Sequence, residues 1–224
     1  MGYCGAMTEP TTTGRPPTMR DDQREASRRR LLDAALGILA EDGYRGLTVK
    51  RVGDRAGVSR GMVNYHFTSK AGLVEAIVHD IRDVFVDRLQ AMPGYQRMTG
   101  LEAVLAKLEQ YFSSLAEPGP GVRARALLVL LVEAVGSPGD TADAPLAGQL
   151  DSVRTGVEDD IRRGVADGSI RPDLDPRAQA FVLESLARGV LLQYQLDPSR
   201  ARLEEIGRAA HDTVLLALAT RAKT

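Results

Sequence analysis

The chain has 224 residues, 43% hydrophobic and 26% charged, enough to bury a sizeable core as one large domain or two smaller ones. Its single cysteine, Cys4, excludes an intrachain disulfide and a thiolate metal site, and its longest apolar run, Ala126 to Val132, is far too short to span a bilayer. Net charge is −1, yet residues 20–70 carry 11 Lys/Arg against 7 Asp/Glu while residues 71–224 carry 17 against 22, a basic head on an acidic body.

Aromatics are 4% of the chain, with no Trp, and Ala, Leu and Val dominate, which suits helices better than a β-sandwich. Residues 1–20 are rich in Gly, Pro and Thr, have no apolar period and lack the apolar core of a secretion signal. They read as a disordered arm, and the lone cysteine fits a cytoplasmic protein. From Glu25 onward, Leu32, Ala35, Leu36 and Leu39 fall at helical spacing, and Gly43 stops the run. Thr48 is placed to cap a short helix to Ala56. The turn AGVS follows, with Gly57 for the reversal and Ser59 as cap of a helix over Arg60 to His66. Ser69 caps a fourth helix that runs to a break at Pro93-Gly94.

Every later segment also has a helical pattern. Leu101 to Leu115 is amphipathic and closed by EPGPG, and Val122 to Val135 is apolar nearly all round. The stripe Leu146, Leu150, Val153, Val157, Ile161 and Val165 is stopped by Gly168. Pro176 opens a helix through Tyr194, and Arg200 to Ala222 forms the last. The expected fold is all-α, about nine helices, with a three-helix head at 21–70 and a helical body at 71–224.

Helix, Gly-containing four-residue turn, helix is the helix-turn-helix pattern. Val52, Ala56, Val58 and Val63 supply the small apolar residues that pack its two helices. Arg60 at the start of the second helix, with Tyr65, His66 and Lys70 at its end, supplies donors for base edges and phosphates. A catalytic use of His66 would need a nucleophile and an orienting acid, and Ser59 and Asp54 are better explained as a cap and a solvated residue.

The run from Leu31 to Ile77 resembles the DNA-binding head of TetR-family repressors, through DAA, GY, the Thr opening the second helix, AGVS, YHF and Lys70. The body resembles the family in architecture and in GSIRPDLDPRAQA, before the penultimate helix. The resemblance implies that Thr48 and Lys70 hold phosphates and that Arg60, Gly61, Met62, Tyr65 and His66 lie in or beside the major groove. Lys50 and Ser59 complete this DNA-facing set. Two positions depart from the family pattern. Asn64 replaces the usual Tyr and is suited to reading adenine, and Gly53 replaces the usual Ala, at about 1 kcal/mol of helix propensity.

The resemblance further implies a small-molecule pocket within about 101–170 and a homodimer built on the last two helices. Glu109, Phe112, Glu133, Arg154 and Tyr194 are the candidate ligand contacts, each also explicable as a solvated, salt-bridged or packed side chain. Leu183, Ala187, Val190, Leu191, Leu203, Ala210, Val214 and Leu218 are the candidate dimer seam, with packing inside one protomer as the other explanation. No metal or cofactor is expected, because His79 and His211 stand apart from other ligand types. The expected partners are double-stranded operator DNA, an effector and a second copy of the chain, with no membrane. The leading function is a repressor released from a palindromic operator by a small molecule. An activator or a regulator answering to a protein partner comes second, and an enzyme built on the helical body a distant third.

Overall fold

The computed structural model describes residues 19–137, 143–198 and 202–220. Nine α-helices and one 3₁₀ turn appear among them. The head is α1 (Met19–Gly46), α2 (Val49–Ala56) and α3 (Arg60–His66). The body is α4 (Lys70–Gln90), a 3₁₀ turn (Tyr95–Arg97), α5 (Gly100–Ala116), α6 (Pro118–Gly136), α7 (Asp143–Asp167), α8 (Pro176–Leu196) and α9 (Leu203–Leu218). The extended residues that come nearest to a strand are an isolated antiparallel bridge between Ile170 and Ala219, which pins the chain after α9 to the turn after α7.

Two boundaries differ from the sequence reading. The first helix begins at Met19, not Glu25, so the last two residues of the predicted arm are helical. Its first turns are polar and lack an apolar stripe, and residues of good intrinsic propensity carry them outward from the core. Gly43 does break α1, with φ 72° and ψ −176°. Pro118 sits in the first turn of α6, so part of EPGPG begins a helix instead of closing one. Proline is tolerated there because the N–H it lacks has no intrahelical acceptor. Residues 1–18 of the predicted arm lie outside the described residues.

Two hydrophobic cores organise the chain. The first joins Leu31, Leu36, Ile38 and Leu39 of α1 to Val52, Val63 and Phe67, and then continues into Leu73 and Ile77 of α4 and Ala126 and Leu130 of α6. The predicted boundary at residue 70 is therefore not a break in packing. The second core draws Val104, Leu108 and Phe112 of α5 together with Ile161, Ile170, Ala180, Leu191, Val214 and Leu218. Helix α5 can start flush against α7 because both contact residues are glycines: a Cβ on Gly100 would lie 2.0 Å from the Gly164 nitrogen. Arg123 on α6 adds a polar tie between body and head, donating to Asp80 of α4 at 2.8 Å and lying 3.8 Å from Asp33 of α1.

Candidate nucleic-acid interface

The helix-turn-helix forms as its capping residues dictate. Thr48 Oγ1 accepts from the Arg51 N–H at 3.3 Å and Ser59 Oγ accepts from the Met62 N–H at 3.3 Å. Gly57 takes the left-handed conformation, φ 68°, that reverses the chain between α2 and α3. Gly53 explains its own departure from the family pattern. A Cβ there would lie 3.1 Å from both the Val58 carbonyl oxygen and Val63 Cγ2, so glycine lets the turn and α3 approach α2 closely.

Val63, fully buried, anchors α3 and turns the opposite face to solvent. That face carries Arg60, Gly61, Met62, Asn64 and Tyr65, all exposed, with Tyr65 at 65%. A Cβ on Gly61 would meet only Ser59 Oγ, at 3.8 Å, which leaves this side of the helix open to a close approach. His66, half-buried, packs edge-on to Tyr65 with ring centroids 5.2 Å apart. The Arg24 guanidinium of α1 lies 5.6 Å from the Tyr65 ring centre. Burial, followed by the positive charges of Arg24 and Arg28, holds the His66 imidazole below its ordinary pKa, so it is neutral at neutral pH.

The cations of the head differ in how they are held. Arg55 makes a bidentate pair with Glu41 at 2.6 Å, and Arg51 pairs with Asp42 of α1, so these two guanidiniums fasten α2 to α1. Lys50 pairs with Asp54 at 2.9 Å, but both side chains are mostly exposed, and such a pair yields readily to a phosphate. Lys70 donates to the Tyr44 carbonyl at 3.0 Å and lies 3.6 Å from the Tyr44 ring centre. It joins the start of α4 to the end of α1, a structural duty absent from the sequence reading. Among the described residues, Arg60 has no ion-pair partner.

The candidate ligand contacts do not share one site. Glu109 is exposed and borders an open concavity of about 460 Å³ that Arg97, Met98 and His211 also line. Phe112 is 4% exposed and belongs to the second core. Glu133 lies in the last turn of α6, and Tyr194 packs on the second core from α8. Arg154 pairs with Glu184, an α8 residue that sequence reasoning missed because nothing in the pattern marks a glutamate on a buried helix face.

The candidate dimer-seam residues divide by their burial. Leu191, Ala210, Val214 and Leu218 are buried inside the protomer, and Leu183, Val190 and Leu203 pack against the same core. Ala187 is half-buried. Four of the eight thus lie inside the protomer, and the other four are partly buried. The outer apolar residues of α8 and α9 are Phe181 (57% exposed), Val182, Leu192, Leu196 and Leu216 (80%).

Two family models match this chain. One, described as bacterial regulatory proteins of the tetR family, covers residues 31–77; the other, a tetracyclin repressor-like C-terminal domain, covers residues 100–210. The chain belongs to the TetR family. Among curated relatives it is similar to the HTH-type transcriptional regulator BetI of Klebsiella pneumoniae (strain 342), 38% identical over 82 residues, or 35% of this chain and 42% of the relative. The BetI of Escherichia coli (strain K12 / DH10B) matches to the same extent. The chain thus spans less than half the length of the curated relatives it matches. A solved TetR-family regulator from Rhodococcus sp. superposes with a TM-score of 0.75 at 25% identity, over 87% of this chain and all of the other. A SmeT–triclosan complex gives a TM-score of 0.75 at 26% identity, over 87% of this chain and 92% of that one. In this TetR-family protein no described helix is long and apolar enough to cross a membrane.

Proposed function

We propose that this chain is a transcriptional repressor that binds a near-palindromic operator as a homodimer and leaves it when a small molecule binds the body. The observation that carries the reading is the outer face of α3. A helix held by the buried Val63, by its N-cap Ser59 and by Phe67 at its C-terminal end presents Arg60, Gly61, Asn64 and Tyr65 outward, beside Arg24 of α1. Arg60 and Lys50 supply phosphate contacts, Asn64 and Tyr65 reach base edges, and Gly61 admits the backbone. Thr48 and Ser59 cap their helices and aim free helix N-termini at phosphates. Lys70 acts first by fixing α4 against α1.

A second copy is needed because one short recognition helix reads too few base pairs to find a site among competing DNA. Phe181, Val182, Leu192, Leu196 and Leu216 give α8 and α9 an outer apolar face for that copy. The effector reading is supported by the C-terminal model match and by the similar SmeT fold, solved with triclosan. Coupling to the head has a physical route through Arg123, which ties α6 to α4 and α1. The test is a gel shift on DNA upstream of the chain's own gene, with and without metabolite extract. Retarded DNA released by the extract supports the reading, and unretarded DNA at low salt contradicts it.

A further inference from the structure

A polar cluster interrupts the apolar contact of α5, α7 and α8. Arg154 Nε and Nη2 donate to Glu184 Oε2 at 3.2 and 3.1 Å, and Arg188 Nη2 donates to Glu184 Oε1. The Glu184 side chain is only 6% exposed, and each arginine side chain is 26% exposed. Both carboxylate oxygens are therefore engaged, and two guanidinium charges meet one buried carboxylate. Asp151, 4.0 Å from Arg154, is mostly exposed and offsets little of the excess.

Tyr111 of α5 packs against the same second core as Leu183, Leu186 and Val190 of α8. Its hydroxyl is sealed from solvent and has no hydrogen-bond partner among the described residues. Burial raises its pKa well above the ordinary phenol value, with the charges of Arg188 and Glu184 acting on it in opposite senses, so it keeps its proton. A sealed hydroxyl without a partner is destabilising, and a phenylalanine would fill the same space without that cost. The cluster thus has donors to spare, surplus positive charge and no free acceptor.

We propose that Tyr111, Arg188 and the Arg154–Glu184 pair form the polar end of the effector site, and that the effector is a small organic carboxylate with an apolar body. The proposal rests on the reading of the chain as a ligand-released regulator and gives that ligand its chemical class. The carboxylate accepts from the Tyr111 O–H and from the Arg188 guanidinium, which satisfies the one and neutralises the other. An amine would meet two cations and no free acceptor, and an alcohol would leave the excess charge in place. Leu183, Leu186 and Val190, partly buried around the second core, suit an apolar body. Both arginine side chains remain a quarter exposed, and Arg154 lies 5.2 Å from the Phe181 ring centre.

The test titrates octanoate and benzoate into the full chain, with octanol and octylamine as neutral and cationic counterparts, followed by calorimetry. The carboxylates are expected to bind more tightly than either counterpart. Tyr111→Phe should weaken them roughly tenfold or more, the loss of a hydrogen bond to a charged group, while its melting temperature stays level or rises. Equal carboxylate affinity in Tyr111→Phe, equal binding of octylamine or octanol, no carboxylate binding at millimolar concentration, or a melting temperature lowered by several degrees would each overturn the proposal. Gel shifts on the same preparations separate the two readings. Extract that releases DNA equally from wild type and Tyr111→Phe leaves the regulator standing and removes this site. Bound DNA that no extract releases removes ligand control itself.

Discussion

The head and the body are built from the same kind of helix but expose function in opposite ways. In the head, the candidate DNA contacts are the residues left over after packing: Val63 and Phe67 go inward, and Arg60, Asn64 and Tyr65 go outward. In the body, the groups proposed to meet a ligand lie inside, where Glu184 is held by two arginines and Tyr111 is sealed. An outward-facing site lies on one short segment and shares its periodicity. An inward-facing site gathers single residues from α5, α7 and α8, which no local pattern links.

The largest expected effects come from breaking the packing that sets this contrast. Val63→Asp places a charge at a fully buried position between α2 and α3. It should cost more than about 4 kcal/mol and abolish DNA binding, while helical signal from the body persists in circular dichroism. On α8 two adjacent leucines sharpen the comparison. Leu191 is fully buried, and Leu191→Ala should destabilise the protomer by about 2–5 kcal/mol in urea melts. Leu192 is 43% exposed, and Leu192→Glu should leave the protomer melt nearly unchanged but shift the sedimentation profile to monomer.

The difference in depth decides what was legible in the sequence. The caps Thr48, Ser59 and Ser69, the stops at Gly43 and Gly168 and the turn at Gly57 are local, and the structure forms each of them. The apolar stripes of α8 and α9 were also visible, but periodicity says which residues share a face and not what covers that face. Leu191, Val214 and Leu218 therefore read as seam, with core as the other explanation, and in the protomer they lie in the second core. Tyr111 was not legible as a site residue, because an aromatic on an amphipathic helix looks the same whether or not its hydroxyl finds a partner. Lys70 shows the converse: its place in the motif pointed to phosphate, and only three dimensions bring it onto Tyr44.

Smaller effects test the head alone. Asn64→Ala should relax preference at one base position in each half-site, at about 1–3 kcal/mol. Arg60→Ala should weaken all sequences alike and reduce the slope of log affinity against log salt by about one. The smallest effect is that of His66. Its folded pKa lies below the ordinary 6.5, so its contribution to stability is complete above that pH and is lost as the pH falls through the folded value. His66→Gln should flatten the stability profile below pH 6.5, read from melts across that range.

Two copies of α3, held at fixed spacing, are proposed to read DNA. Selection of bound sequences from random duplexes by the full chain tests this most directly. The expected outcome is a near-palindrome whose half-sites are centred about 34–36 Å apart or a multiple of it, with one position lost in Asn64→Ala. A pool with no enriched motif, or a single unpaired half-site bound by a monomer, would contradict it.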